Sequence, residues 1–326
     1  MDLLAGDIGG TNTRLAIYRV DEGRGFTPLT EKVFSSQDYH SLEAILELFT
    51  ADKEPSIQRA CFGVAGPVIE QTSDTTNLPW KLSAQVINQR FGFEQTWLLN
   101  DLEANAWGIG ALSAIDFLTL HPGNPKATGN ASIISAGTGL GEAGLYWDGR
   151  IHRPFSSEGG HTDFSPTNKL EFALHESLAA LYGHVSWERL ICGPGLETIH
   201  SFLCRYRSTL IPDWLLQEMN RIGRAQAISN MALQQRDPIC EEALTLFVRL
   251  YGREAGNHAL KIMASGGVYL GGGIAPKIIE RLKTGDFLEA FFAKGRMRHL
   301  LEAMPVKVIL NDKAALLGAA RFAAIQ

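Results

Sequence analysis

The sequence predicts an α/β protein of two domains built on a duplicated strand–glycine turn–strand unit. Three observations carry this. Strand-like and helix-like segments are mixed along the whole chain rather than grouped in blocks, the pattern of an α/β fold. The chain has 326 residues, more than the roughly 250–300 at which a single core stops growing. One local theme also occurs twice: setting Ala5-Gly6 over Ala136-Gly137 places Gly10 over Gly141, a separation of 131 positions in each case. Such an internal repeat implies two similar halves.

The elements follow in order. Residues 3–5 read as a short buried strand and 14–20 as a second. Between them lies the turn Gly6-Asp7-Ile8-Gly9-Gly10-Thr11-Asn12. Residues 41–49 form a helix: Ser41 can cap it, and Leu42, Ile45, Leu46 and Phe49 make one apolar stripe. Residues 60–65 are a strand running into Gly66-Pro67. Residues 97–99 are a strand that ends at Asn100-Asp101, followed by a small-residue helix to about Leu112. The segment 122–129 (PGNPKATG) is the best linker or crossing loop. After it the opening theme returns, with strand 133–136, the turn Gly137-Thr138-Gly139-Leu140-Gly141 and strand 143–147. Helices are expected over 170–182, ended by Gly183, over 195–205 and over 240–263. Strand 268–270 leads into Gly271-Gly272-Gly273, and strand 306–310 and helix 313–324 close the chain.

Composition narrows the function. Hydrophobic residues make up 45% and charged residues 20%, ordinary for a globular protein, which excludes wholesale disorder, collagen and coiled coil. Glycine is the excess, 33 residues. The net charge is −5 with no basic stripe, so nucleic acid is a poor partner. The longest uncharged stretches, 127–141 and 262–276, fall short of the ~20 residues of a membrane span. The start Met-Asp-Leu-Leu carries no basic and apolar leader, so a cytoplasmic protein is expected. Cys61, Cys192, Cys204 and Cys240 have no C-x-x-C spacing and read as reduced, mostly buried thiols, with no zinc site.

The glycine turns carry the first chemistry. Gly6–Thr11 sets three glycines around Asp7, and amides without Cβ hindrance can approach phosphate oxygens. A carboxylate beside them suits hydrated Mg²⁺. A plain hairpin turn is the alternative, but the second turn, with the hydroxyl of Thr138, favours a pair of phosphate loops. The G-x-G-x-x-G at 139–144 precedes a strand rather than a helix, so it is not a dinucleotide fingerprint. His175-Glu176 lacks a second His at 179, and no G-x-x-x-x-G-K-[ST] exists.

A polar set supplies the second chemistry. Asn100-Asp101 stands at a strand's C-terminal end, where open α/β sheets bind ligands; a helix cap is the competing role. Glu158, His161 and Asp163 crowd around a Gly pair, a density suited to pairing with the hydroxyls of a polyol. Glu188 reads either as a further such group or as a first-turn Glu at a helix start. Asn77 is a turn residue with a weaker case.

These segments together resemble the bacterial glucokinases of the hexokinase–actin superfamily over nearly the whole chain. The carrying residues are Gly6-Asp7-Ile8-Gly9-Gly10-Thr11-Asn12, Thr76-Asn77-x-x-Trp80, Asn100-Asp101, Gly137–Gly141, Glu158-Gly159-Gly160-His161-x-Asp163-Phe164, His184-Val185-Ser186-x-Glu188-Arg189, Gly193-Pro194-Gly195-Leu196 and Gly271-Gly272-Gly273-Ile274. The resemblance implies an actin/hexokinase-like fold of two α/β domains with a central cleft. The small domain would take residues 1–111 plus about 302–326, and the large one about 112–301. It implies ATP on Gly6, Asp7, Ile8, Gly9, Gly10, Thr11, Gly137, Thr138 and Gly139, with Gly271, Gly272 and Gly273 beside the adenosine. Mg²⁺ would sit near Asp7 through water. Asp101 matches the catalytic base, and Asn100, Asp101, Glu158, His161 and Glu188 match sugar-binding residues. Asp163-Phe164-Ser165-Pro166 stands where the wider repressor/kinase family carries a Cys-rich zinc motif, so zinc is not expected. The expected activity is ATP-dependent phosphorylation of glucose to glucose 6-phosphate by a homodimer. The alternatives are a kinase for fructose or mannose, or a non-catalytic sugar-sensing protein.

Overall fold

The computed structural model describes residues 1–20, 25–51, 57–75 and 78–326. Its contacts divide the chain into two units, Met1–Asp116 with Ile151–Phe155 and Asn311–Gln326, and Phe117–Arg150 with Ser156–Leu310. Thr76 and Asn77 lie outside the described residues.

The first unit is built on strands β1 (Asp2–Ile8), β2 (Asn12–Val20), β3 (Phe26–Ser35), β4 (Ile57–Val64) and β7 (Gln95–Asn100), in the order β3-β2-β1-β4-β7; β5 (Thr72–Asp74) and β6 (Lys81–Ser83) form a separate ribbon. β1 runs antiparallel to β2 and parallel to β4, which runs parallel to β7. A central strand has both faces covered, so Leu3, Leu4 and Ala5 are all fully buried. One face packs Leu4, Ile8 and Phe62 against helix α1 (Leu42–Thr50). The predicted stripe Leu42, Ile45, Leu46, Phe49 is buried there, and Ser41 Oγ accepts the Ala44 amide at 3.3 Å. Helix α2 (Ala84–Phe91) lies on the same side. The other face packs Leu3, Ala5 and Cys61 against helix α3 (Asp101–Gly108) and the C-terminal helix Ala314–Ile325. These two helices meet at bare backbone, since a Cβ on Gly318 would overlap the Ala104 carbonyl.

The second unit holds β8 (Phe117–His121), β9 (Ala131–Ala136), β10 (Leu140–Trp147), β12 (Gly267–Gly271) and β13 (Val306–Ile309), in the order β10-β9-β12-β13-β8. Strand β11 (His152–Ser157) falls across the division between units. Its helices are α4 (Lys169–Tyr182), α5 (Gly193–Tyr206), α6 (Asp213–Ile222), α7 (Arg224–Leu233), α8 (Pro238–Ile262), α9 (Ile279–Leu282) and α10 (Asp286–Phe292). The long α8 centres the core, with Phe247, Tyr251 and Ala255 fully buried. Gly252 and Gly256 face Phe287 and Phe291 of α10, so they serve the core.

The duplication is present as topology. The order β2-β1-β4-β7, with one antiparallel and two parallel neighbours, recurs as β10-β9-β12-β13. Its register differs from the sequence superposition. Gly6, Asp7 and Ile8 still belong to β1, and the first turn is formed by Gly9–Asn12 between the last paired residues Ile8 and Thr13. The second is Gly137–Gly139, closed by the pair Ala136–Leu140, so Gly141 lies in a strand. Setting Gly6 over Gly137 therefore puts a strand residue over a turn residue: glycine in a central strand gives the same composition as glycine in a turn. Three further expectations are corrected. The helix after Asp101 stops at Gly108, short of Leu112. The segment 122–129 is the expected crossing loop, joining the non-adjacent β8 and β9, but it lies inside the second unit and is no linker between the units. Strands β3 and β8 and helices α6 and α7 were missed.

Candidate active site

In the first unit the C-terminal ends of parallel β1, β4 and β7 fall side by side, with Ile8 opposite Val64 and Val64 opposite Asn100. This edge brings Asp7 and Asp101 together. Burial, and behind it the charge of Asp101, push the Asp7 carboxyl up to about 6, while Arg14 pulls the other way. Arg14 is itself held by Asp312 at 3.0 Å. Burial also raises Asp101, against the backbone amide of Leu102, which its Oδ1 accepts at 2.8 Å. Asn100 caps α3: Oδ1 accepts the Leu102 amide at 3.0 Å, and Nδ2 donates to the Gly66 carbonyl at 3.0 Å. The capping role weighed in the sequence is thus real for Asn100. A second carboxylate nearby and a raised carboxyl at Asp7 are what a hard cation would relieve, so the oxygen donors there fit Mg²⁺.

Of the first glycine segment, Gly6 and Ile8 are buried in β1, with Ile8 in the core, while Gly9, Gly10 and Thr11 form the partly open turn. The turn is pinned by a residue the sequence did not single out. Ser36, fully buried, donates to the Gly9 carbonyl at 2.7 Å and shares a 2.9 Å hydrogen bond with Thr13, and its amide donates to the Thr11 carbonyl at 2.8 Å. Ser36 follows β3, so missing that strand hid it.

The second unit gathers the other predicted residues. In the Gly137–Gly139 turn, Thr138 is exposed, and the Gly137 carbonyl accepts the amide of Gly193, first residue of α5, at 2.9 Å. The Gly271–Gly273 loop meets the same corner: Ile274 donates to the Ala136 carbonyl at 3.2 Å, and Gly272, at φ +78°, has no room for a Cβ against Ala136. These links gather the Gly137–Gly139 turn, the Gly271–Gly273 loop and the N-terminus of α5 into one corner.

Glu158, His161 and Glu188 come together on an adjoining face. His161 Nε2 is 3.8 Å from Glu158 Oε2, and Nδ1 is 3.8 Å from Glu188 Oε1. Those gaps exceed hydrogen bonds. Glu158 and His161 are exposed and Glu188 is partly buried. Glu188 does not start a helix; it sits in a turn five residues before α5. Its amide donates to the Gly160 carbonyl at 2.8 Å, and its Oε2 accepts the Leu140 amide at 2.9 Å, which ties three segments together. Asp163 lies 3.2 Å from His184 instead. The cysteines are free, three buried and Cys204 partly so.

A family profile described as Glucokinase matches residues 4–326. The chain belongs to the glucokinase family. A glucokinase of Nostoc punctiforme is 38% identical over 336 aligned residues, covering 99% of this chain and 98% of the relative. The solved glucokinase from an Antarctic psychrotroph is 30% identical, with a TM-score of 0.88, covering 100% and 99% of the two chains. The fold alone extends further. A ROK-family glucokinase from Streptomyces griseus, solved in complex with glucose and AMPPNP, is 21% identical with a TM-score of 0.63, covering 100% of both chains. Within this glucokinase-family chain, no described helix is long and apolar enough to cross a membrane.

Proposed function

We propose that this chain transfers the γ-phosphoryl group of ATP to the 6-hydroxyl of glucose. The observation that carries the reading is full-length membership of the glucokinase family, joined to a paired, partly buried Asp7 and Asp101 at the strand ends. Phosphoryl transfer asks for positioning and charge neutralisation rather than covalent chemistry by the protein. In this reading Asp101 takes the proton of the attacking hydroxyl on the oxygen not engaged by Leu102. Asn100, Glu158, His161 and Glu188 hold the remaining hydroxyls. The turns Gly9–Thr11 and Gly137–Gly139 and the loop Gly271–Gly273 receive the nucleotide, beside Asp7, while Gly6 and Ile8, buried in β1, support the first turn from within the sheet. Asp7 would hold Mg²⁺ through water, and the bound ion would neutralise phosphate charge.

The two units are assigned as the small and large domains, and the active form as a cytoplasmic homodimer. No zinc is assigned to the sugar or nucleotide residues. A coupled assay of ADP release over a panel of sugars, with zinc-selective chelation as a control, tests the reading. Glucose should be turned over best, and activity should survive chelation. Preference for fructose or mannose would favour the other-hexose reading. Sugar binding without turnover would favour a sensor.

A further inference from the structure

We propose that Glu142 is a positioning residue for the sugar-holding loop Glu158–His161, supporting it from beneath through β10. The inference rests on the reading of Glu158, His161 and Glu188 as sugar-binding groups. Leu140 and Glu142 are two residues apart on β10 and so share one face. The loop lies on that face. A Cβ on Gly160 would overlap the Leu140 carbonyl, and one on Gly159 would overlap Glu142 Oε2. The loop backbone is also held by Ser157 Oγ, which accepts the Gly159 amide at 3.0 Å, by Thr162, whose Oγ1 and amide donate to the Gly159 carbonyl at 2.7 and 3.0 Å, and by the Glu188 amide on the Gly160 carbonyl at 2.8 Å. The Glu142 carboxyl stands directly against Gly159.

That carboxyl is 1% exposed, and neither oxygen has an aligned hydrogen-bond partner among the described residues. Nδ1 of His258, on α8, is 3.3 Å from its Oε2. His258 Nε2 is 3.1 Å from the Ala143 carbonyl. A carbonyl only accepts, so Nε2 carries a hydrogen and, in the neutral ring, Nδ1 does not. A carboxylate there would face a lone pair, whereas a protonated Glu142 can turn a donor toward Nδ1. Burial first, then the charge of Glu254, pushes Glu142 up to about 8; burial lowers His258. The favoured pair is therefore neutral. The other groups facing this pocket belong mainly to α8. Burial raises Glu254, which accepts Asn257 at 2.7 Å and lies 3.6 Å from Lys261. Tyr251 donates to the Ile134 carbonyl at 3.1 Å. Lys294, lowered by burial to about 8, donates to the Arg253 carbonyl at 3.0 Å. Lys294 would also titrate in the alkaline range, so the test must separate it from Glu142.

The experiment measures KM for glucose and for ATP, with melting temperature, from neutral to alkaline pH, on the parent, Glu142→Gln, Glu142→Leu and Glu188→Gln. Gln reproduces the protonated side chain and cannot ionise. The parent should lose glucose affinity as pH rises through about 8, with the KM for ATP steady. Glu142→Gln should hold its glucose affinity across the same range. Glu142→Leu should bind glucose about tenfold more weakly at every pH, the scale of one lost hydrogen bond. An alkaline profile of Glu142→Gln that tracks the parent would overturn the proposal and point to Lys294, as would a parental glucose KM in Glu142→Leu. If Glu188→Gln leaves the glucose KM unmoved, the sugar reading itself fails; if Glu188→Gln weakens glucose while Glu142→Gln tracks the parent, only the role of Glu142 fails.

Discussion

Asp101→Asn should slow turnover and stabilise the fold at once, which no merely structural role for Asp101 produces. The geometry survives the change. Asp101 Oδ1 accepts the Leu102 amide at 2.8 Å, an Asn oxygen can do the same, and Asn100 already accepts that amide at 3.0 Å. Asn and Asp are also equal helix caps. What changes is charge. Burial comes first and Asp101 second among the causes that carry Asp7 from 3.8 to about 6. That rise corresponds to ~3 kcal/mol of penalty on ionised Asp7, of which Asp101 supplies a smaller part than burial. Near neutral pH the variant loses this repulsion and one partly buried carboxylate. Its melting temperature should rise by about 2–4 °C per kcal/mol recovered. Its kcat should fall by ~10²–10⁴-fold, the range of a positioned general base. The assay is coupled ADP release at saturating glucose and ATP, beside a thermal melt and glucose binding. A loss below about tenfold would refute the base, since it falls under that range. A drop in melting temperature with lost glucose binding would instead make Asp101 a structural residue.

The parent's kcat should fall toward acid pH, earlier than for an ordinary carboxylate, because the base must be ionised and burial raises Asp101; a pH–rate profile checks this. Arg253→Met should cost about 3–5 kcal/mol of stability, because Arg253 Nη1 and Nη2 bond the 1%-exposed Glu171 at 2.6 and 2.9 Å. Burial raises the Glu171 carboxyl, but Arg253 holds it below its ordinary value overall. Its stabilisation is therefore present above the unfolded pKa and lost as pH falls through the folded one, so urea melts of Arg253→Met should show a weaker acid dependence than the parent. Gly318→Ala should destabilise the first unit by roughly 1–3 kcal/mol or more, since the new Cβ meets the Ala104 carbonyl; an unchanged urea midpoint would contradict that packing.

The elements legible in the sequence were those whose local signal and tertiary role agree. The α1 stripe is one: its i, i+3, i+4, i+7 spacing and Ser41 cap are set by the helix and used unchanged by the sheet it covers. Strand β3 is the opposite. Only Phe34 of its ten residues is buried, because an edge strand needs no apolar alternation and tolerates Pro28. Nothing in its sequence says strand; its pairing with β2 does. Helix α6 did carry a signal that was passed over: Leu215, Met219 and Ile222 stand at i, i+4, i+7 after Pro212 and meet the core. The glycine turns were found but mis-framed. Gly6 avoids Phe62, to which a Cβ would stand 2.5 Å away, and a glycine kept for packing reads in sequence like one kept for a turn.

The site was legible as composition and illegible as connection. Glu188 shows the difference. Ser186-Trp187 look like the start of a helix, so a Glu at 188 reads as first-turn dipole chemistry. In the structure the chain turns instead. Cys192 caps α5, its Sγ accepting the Gly195 amide at 3.3 Å. This frees Glu188 to bond Gly160 through its amide and Leu140 through its carboxylate. One residue thus joins the glycine turn, the Glu158–His161 loop and the approach to α5, while its second carboxylate oxygen lies 3.8 Å from His161. Glu142 had a local signal that went unread: a lone carboxylate inside the apolar strand LGEAGLYW. A buried charge is costly unless it is protonated or paired, so such a residue in a predicted strand points to a neighbour worth finding. Here the neighbours are His258, 116 positions along the chain, and Gly159, and neither is visible until the fold closes.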